Sequence, residues 1–308
     1  MNRSKKIKVD IESVNKMAEA DAAELVQKSE EDYIAGVCKT AKYLESHRRY
    51  KVALISGPSG SGKTTTAMKL AEELEEIGMH AVTVSLDNFF KNREDVPLLP
   101  NRRNDYESIN TVDVDCFNRC ISKLLETKHA KFPLFNFVKG VREEDVIDIK
   151  SNGDSVIIIE GIHALNPVIT KGHSDDFLKL YVCPEEEFYN GKERVLSSRN
   201  LRLIRRTIRD HKFRGSSAEN TFNMWVEVCV GEEKNVIPYK PEADIVLNTV
   251  HLYEPLIYSD YLLPILKEIG EKSEFYPKAQ ELIVILSQFS KLSPEQIPND
   301  SMLREFIG

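Results

Sequence analysis

The sequence predicts an α/β protein whose core is a doubly wound, mainly parallel five-stranded sheet with helices on both faces. Five short apolar runs without polar alternation are typical of strands buried on both faces, and they lie near residues 51–56, 81–86, 156–159, 178–182 and 244–247. Segments with helical periodicity fill the intervals, which favours parallel strands joined by crossover helices. Two strand-like pieces around Lys139 and Gly140 predict a small β-hairpin insertion near 131–150.

Composition excludes several classes of protein. The chain has 308 residues, of which 41% are hydrophobic and 30% charged, so it is neither disordered nor a disulfide-stapled miniprotein. Its net charge of −7 gives no global attraction to nucleic acid or anionic lipid, so any anion site must be local. Five scattered cysteines, the absence of a signal peptide pattern and the absence of a long apolar run predict a cytoplasmic protein without membrane or nucleic-acid partners.

The order of these segments predicts three parts. Residues 1–48 form a helical N-terminal extension, in which Ile34, Val37, Ala41 and Leu44 share one face. Residues 49–250 form the sheet domain. Residues 251–308 form a helical C-terminal extension packed on it.

The strongest motif is the run Gly57-Pro58-Ser59-Gly60-Ser61-Gly62-Lys63-Thr64, which matches G-x-x-x-x-G-K-[ST] between a strand and a helix. In such a loop, backbone N–H groups and a helix N-terminus hold phosphate oxygens, Lys63 reaches the β- and γ-phosphates, and the Thr64 hydroxyl ligates Mg²⁺. We therefore expect a P-loop NTPase fold that binds ATP or GTP with Mg²⁺. The nucleotide-binding candidates are Gly57, Ser59, Gly60, Ser61, Gly62, Lys63, Thr64 and Thr65.

Two acidic residues follow neighbouring strands of the predicted sheet. Asp87 comes after the second strand, where strand ends open onto the ligand crevice, and it could accept a proton or hold Mg²⁺ through water. A capping role in a turn stays open for it. Glu160 follows the third strand in the Walker B arrangement and is a candidate metal-side acid. His163 is expected to be packed or to face solvent rather than to catalyse.

A basic segment follows the fourth strand. Arg199, Arg202, Arg205, Arg206 and Arg209 share one broad helical face, and Arg214 precedes the Gly215-Ser216-Ser217 break. This pattern predicts an arginine-rich lid near 199–217 that clamps a polyphosphate. A solvated helix face and an RNA-binding patch stay open as alternatives, although no interleaved aromatic residues support base stacking.

Several motifs in the same order resemble the uridine kinase family of P-loop nucleoside kinases, within the uridine kinase/phosphoribulokinase group. They read GPSGSGKTT, SLDNFF, FPLFNFVKGVR, IIIEGIHALNP and RLIRRTIRDHKFRG, and the helical tail looks like a bacterial branch. The resemblance implies transfer of the γ-phosphoryl group of ATP or GTP to the 5′-hydroxyl of a nucleoside, uridine or cytidine, with Mg²⁺.

The resemblance also implies roles for individual residues. Asp87 matches the acid that faces the 5′-hydroxyl, Glu107 the acid that holds the ribose hydroxyls, and Glu160 the metal-side acid. Phe135 and Phe137 match aromatic residues near the base, with Phe90 beside them. Arg205, Arg206, Arg209 and Arg214 fall in the lid, where Arg206 and Arg209 join Lys63 and Asp87 as catalytic candidates. The sequence departs from the family at Gly140, which replaces a base-reading histidine, and at Phe90 and Phe135, which replace tyrosines.

Two other functions remain open at this point. One is a kinase for a sugar phosphate or another small hydroxyl substrate. The other is a nucleotide-binding regulatory module with little turnover, against which the two acids beside an intact loop argue. Self-association into a homo-oligomer also stays open.

Overall fold

The computed structural model describes residues 6–101, 103–137, 139–152, 154–170 and 177–308. The strands are β1 Ile7–Asp10, β2 Val52–Ser56, β3 Ala81–Ser85, β4 His129–Asn136, β5 Val141–Lys150, β6 Val156–Glu160, β7 Phe177–Cys183, β8 Glu186–Asn190, β9 Glu193–Leu196 and β10 Ile245–Asn248. The helices are α1 Ile11–Ser46, α2 Lys63–Glu76, α3 Val114–Thr127, α4 Pro167–Thr170, α5 Ser198–Arg214, α6 Ala218–Asn235, α7 Glu254–Leu266, α8 Tyr276–Leu286 and α9 Arg304–Ile307. Among these helices, none combines the length and the apolar character that crossing a membrane requires.

The central sheet contains the five predicted strands, in the order β10-β7-β2-β6-β3, and every pairing is parallel. Successive residues of β2 belong alternately to two separate apolar clusters. Ala53 and Ile55 face the side covered by α1, α2, α5 and α7, whereas Val52 and Leu54 face the side covered by α3 and the hairpin. Both faces are therefore buried, which explains the lack of polar alternation in the sequence. The predicted fold class is confirmed.

The N-terminal region differs from the predicted all-helical extension. Residues Ile7–Asp10 form a strand that pairs in parallel with β8, and β8 and β9 form an antiparallel hairpin, so a second, three-stranded sheet lies here. The prediction that helices fill the intervals is also wrong for residues 186–196. These strands are four or five residues long and largely polar, so no local sequence pattern predicts them. In addition, β1 pairs with a strand about 180 residues away.

Helix α1 is interrupted at Asp21, where the backbone is extended and the side chain caps the continuing helix by accepting a hydrogen bond from the Glu24 N–H at 3.0 Å. The predicted apolar face lies against the sheet domain: Val37, Ala41 and Leu44 are buried. The helix packs along α2, so the lead-in forms part of the core.

The predicted hairpin is β4–β5, paired in antiparallel fashion with a bulge between Phe132 and Leu134. It is tied to the segment that follows β3. The Asn88 side-chain carbonyl accepts from the Phe135 N–H at 3.4 Å, and that of Asn92 accepts from the Arg142 N–H at 2.9 Å. The hairpin is therefore fixed next to Asp87.

Candidate active site

The phosphate loop joins β2 to α2 and is braced from α5 and α6. The Arg202 guanidinium donates to the Ser59 carbonyl at 2.8 Å and forms two hydrogen bonds with the Glu232 carboxylate, at 2.7 and 2.8 Å. The same carboxylate accepts from the Ser59 N–H at 2.8 Å. Gly62 ends the loop at φ +86°, a left-handed conformation in which a side chain would be strained. These contacts fix the conformation of the loop.

Lys63 occupies the base of this loop. Its ammonium donates to the Pro58 carbonyl at 3.2 Å. Burial lowers the pKa of Lys63, and the negative charges of Glu160 and Asp87 oppose that shift most strongly. An ammonium group surrounded by carboxylates and loop amides is positioned for the terminal phosphates of a nucleotide.

Asp87 and Glu160 lie together at the carboxyl ends of β3 and β6. Burial raises the pKa of Asp87, against the nearby positive charges of Lys63, Arg214 and Arg209. Burial and the charge of Asp87 raise the pKa of Glu160 to about 7. The two carboxylates therefore repel each other in a poorly hydrated position, and a cation between them would relieve that repulsion.

This acid pair fits the ligand preferences of Mg²⁺. The ion takes oxygen ligands, commonly one or two carboxylates completed by phosphate oxygens and water. Thr64 is exposed in the first turn of α2, directly after the phosphate loop, and carries a hydroxyl oxygen. Within the described ranges, no group of three or more His, Cys, Asp or Glu side chains could hold a metal ion unaided. Magnesium would therefore need the nucleotide phosphates as well as Thr64 and Glu160.

Glu107 faces the same space from the loop before α3. Burial and the charge of Glu232 raise its pKa to about 7, while Arg206 and Lys63 lower it. Its Oε2 atom is buried, and no described residue forms a hydrogen bond with it. The Asn235 side chain of α6 donates to the Glu107 carbonyl at 2.8 Å and fixes the loop. Glu107 therefore offers an unused carboxylate oxygen beside the acid pair.

The arginines of α5 are organised by Asp210, which the sequence analysis did not single out. The Asp210 carboxylate lies 3.2 Å from Arg206, 2.8 Å from Arg209 and 3.5 Å from Arg214. Arg206 also donates to the Ser59 hydroxyl at 2.8 Å, which places it at the phosphate loop. One carboxylate among three guanidinium groups leaves a surplus of positive charge for an anionic ligand. The spacing of four residues on each side of Asp210 was the available signal.

Arg205, a predicted nucleotide-binding residue, instead supports the phosphate loop from inside the protein. Its side chain is 0% exposed and forms two hydrogen bonds with the Glu254 carboxylate, at 2.8 and 2.7 Å. It also donates to the Thr249 carbonyl at 2.6 Å and to the Gly60 carbonyl at 3.3 Å. These contacts occupy the guanidinium inside the protein, so it supports the loop from behind. Because Arg202 and Arg206 are buried too, the alternative of a solvated helix face is wrong.

An aromatic cluster lines the hairpin side of the site. The rings of Phe90, Phe135 and Phe137 meet edge to face, with centroids 5.1 to 6.4 Å apart. Phe137 is 54% exposed and presents its ring outward. Gly140 has φ +71°, and a Cβ atom there would lie 2.6 Å from the Arg93 side chain. Arg93 therefore lies against Gly140, and it donates to the Phe137 carbonyl at 3.2 Å.

His163 is buried behind this site. Burial lowers its pKa to about 4, so the ring is neutral at pH 7. The expectation of a packed histidine agrees with this placement.

The site thus brings together residues from distant parts of the chain: Lys63, Asp87, Glu107, Glu160, Arg206, Arg209 and Arg214. Residues 52–253 match the family described as "Phosphoribulokinase / Uridine kinase family". The chain belongs to this family. It is therefore a kinase that phosphorylates a small substrate.

Individual proteins are similar to the chain over much of its length. The chain is 28% identical to a uridine kinase of Bacillus pumilus over 194 residues, which cover 63% of this chain and 83% of that protein. A solved chain of Bacillus stearothermophilus, described as a "Possible Uridine Kinase", is 20% identical with a TM-score of 0.47 and covers 71% of this chain and 98% of that one. A D-glycerate 3-kinase of Cryptococcus neoformans is 16% identical with a TM-score of 0.47 and covers 65% of this chain and 87% of that one.

Proposed function

We propose that this kinase transfers the γ-phosphoryl group of ATP or GTP to the 5′-hydroxyl of a nucleoside, with Mg²⁺ bound at Thr64 and Glu160. One observation carries the proposal: a partly buried carboxylate, Asp87, interacts with the charge of the phosphate-loop lysine, and the next residue, Asn88, is hydrogen-bonded to Phe135 of the aromatic cluster. A hydroxyl group bound there would have a proton acceptor on one side and the donor phosphates on the other.

The donor side supplies position and charge. The loop amides and Lys63 hold the phosphates, while Arg206, Arg209 and Arg214 neutralise the charge on the transferring group. Mg²⁺, when bound, supplies further neutralisation of the phosphate oxygens. Because Asp210 and the Ser59 hydroxyl fix Arg206, its guanidinium needs little reorganisation during transfer.

The acceptor side supplies the nucleophile. Asp87 orients the 5′-hydroxyl and takes its proton as the oxygen attacks in line with the leaving group. The raised pKa of Asp87 brings its proton affinity closer to the working pH, which favours this role. The free oxygen of Glu107 is suited to accept hydrogen bonds from ribose hydroxyls, and the exposed ring of Phe137 offers a stacking surface for the base.

Uridine or cytidine is the proposed acceptor because curated relatives of the chain are uridine kinases. Discrimination between nucleoside bases should nevertheless be weak. Gly140 has no side chain to read the base, and Phe135 has no hydroxyl, whereas strong discrimination requires buried polar groups that a wrong substrate leaves unpaired.

A sugar phosphate is the second candidate acceptor. The exposed guanidinium of Arg93 at the aromatic cluster favours it, because this group binds phosphate well. Such a substrate would place its own phosphate at Arg93 and its hydroxyl at Asp87.

The test is Mg·ATP consumption by the purified chain with uridine, cytidine, adenosine, guanosine, ribose 5-phosphate or ribulose 5-phosphate, and with no acceptor. We expect acceptor-dependent turnover with the pyrimidine nucleosides and weaker turnover with a purine nucleoside. Turnover with a sugar phosphate alone would replace the nucleoside by the second candidate. ATP binding without turnover on any acceptor would contradict both.

A further inference from the structure

The C-terminal tail, defined here as Ser301–Gly308, reaches the phosphate loop. Within it, α9 places the Glu305 carboxylate on Thr65. One carboxylate oxygen accepts from the Thr65 hydroxyl at 2.6 Å and from the Thr65 N–H at 3.3 Å. These two residues are 240 positions apart in the chain, so the contact is created entirely by the fold.

The Thr65 hydroxyl and N–H groups that Glu305 occupies lie where hydrogen-bond donors to a phosphate are expected. Thr65 lies in the first turn of α2, directly after the loop, where N–H groups have no partner inside the helix. The intrahelical ladder starts one residue later, with Thr66 donating to Gly62 at 2.9 Å. Unpaired N–H groups at this place, aided by the helix dipole, are the usual receptors for nucleotide phosphates. The Glu305 carboxylate therefore occupies a position suited to a nucleotide phosphate.

The tail is held firmly enough to keep that carboxylate in place. Met302 packs against Gly62, where its sulfur would lie 2.8 Å from an added Cβ atom. The Phe306 ring lies under the Arg205 guanidinium at 5.2 Å, and the Ile307 carbonyl accepts from the Lys212 ammonium. The tail is thus a packed part of the protein, while Glu305 itself stays partly exposed to solvent.

Charge makes this arrangement consequential for ligand binding. Glu305 adds to the negative potential at Lys63 and at Glu160. A polyphosphate that enters the loop meets this carboxylate both as a competitor for the Thr65 donors and as a like charge. By contrast, Asp300, just before the tail, is exposed and pairs with Lys69 of α2 at 3.4 Å.

We propose that Glu305 is an intramolecular competitor of the nucleotide: it occupies the Thr65 donors in the free protein and is displaced when a phosphate group binds there. The C-terminal tail therefore sets the affinity for the nucleotide. This inference rests on the proposed nucleotide-dependent function, and it concerns binding alone.

The test is calorimetric titration of the full chain with Mg·ATP and with Mg·ADP, in the absence of an acceptor. Glu305→Gln removes the charge but keeps the shape, so we expect both nucleotides to bind on the order of tenfold more tightly. The matched control, Asp300→Asn, should bind like the wild type. A purely structural cap would predict the opposite, namely unchanged or weaker binding together with a lower melting temperature.

Equal or weaker nucleotide binding by Glu305→Gln, with normal binding by the wild type, overturns this inference and leaves the proposed function intact. Absence of nucleotide binding in the wild type and in Asp300→Asn overturns the proposed function, and this inference with it. If Glu305→Gln does not fold, Glu305→Asp shortens the reach to Thr65 and must also bind nucleotide more tightly.

Discussion

The two halves of the site are built in different ways. The donor half consists of the phosphate loop and the parts of α5, α6 and the C-terminal tail that touch it. It is held by buried ion pairs, with Arg202 bound to Glu232 and Arg205 bound to Glu254. The acceptor half consists of the segment 88–111 and the hairpin β4–β5. It is held by asparagine side chains and backbone groups, and it exposes Phe137 and Arg93.

This difference matches what each half must bind. A triphosphate is the same in every turnover, and rigid, preorganised donors and charges stabilise its transition state without reorganisation. Under the proposed function, the acceptor would be recognised mainly by shape and stacking, which exposed loops can adjust with few changes to the core. The comparison predicts that substitutions in the donor half lower the free energy of unfolding. Substitutions in the acceptor half should change substrate affinity without affecting the fold.

The largest expected effect lies in the donor half. Arg205→Met leaves Glu254 buried without its cation, so we expect the free energy of unfolding to fall by about 3–5 kcal/mol. The measurement is chemical denaturation of the full chain. Arg199→Met, on the same helix, breaks only the exposed pair with Glu233 and should cost less than about 1 kcal/mol. Equal losses in the two variants would contradict the claim that buried ion pairs hold the donor half.

A smaller effect is expected at the border between the halves. Glu107 has a pKa of about 7 in the folded protein against an ordinary 4.5, so the folded state binds more protons than the unfolded state between these values. Its contribution to stability therefore falls as pH rises through that window. Glu107→Gln should remove this loss and raise the free energy of unfolding by about 1–2 kcal/mol at pH 8, with little change at pH 4.5.

Urea titrations of the nucleotide-free protein at the two pH values provide the measurement. Glu94→Gln, at an exposed position, is the control and should leave the pH dependence of stability as in the wild type. If Glu107→Gln shows the wild-type pH dependence of stability, the prediction that Glu107 has a raised pKa in the folded protein is contradicted.

The smallest effect is expected in the acceptor half. Phe137→Leu removes the exposed ring, so the KM for the nucleoside should rise about fivefold while the KM for ATP stays unchanged. The melting temperature should also be unchanged, since more than half of the ring is exposed. Leu134→Ala changes a partly exposed side chain of the preceding strand β4 and serves as the control. A matching rise in the KM for ATP would show that the halves are coupled.

Local signals in the sequence were enough for much of the fold. The five central strands are apolar runs, and the phosphate loop is a continuous motif, so both can be recognised without knowledge of tertiary contacts. Strand β1 could not be recognised, because the run Ile-Lys-Val-Asp becomes a strand only by pairing with residues 186–189.

The same limit applies to the site. Helical spacing groups the arginines of α5 on one face, but it does not reveal that Arg205 meets Glu254, 49 positions later. Nor does any pattern near the C-terminus indicate that Glu305 reaches Thr65. These roles depend on contacts between distant segments.

Asp87 provides the most direct test of the central claim, that one carboxylate between the two halves activates the acceptor. The measurement is the turnover number and the nucleotide affinity of Asp87→Asn, with Asp95→Asn as an exposed control. We predict that turnover with the best nucleoside falls about a thousandfold, while Mg·ATP binds about as well as to the wild type. Turnover close to that of the wild type would contradict the account.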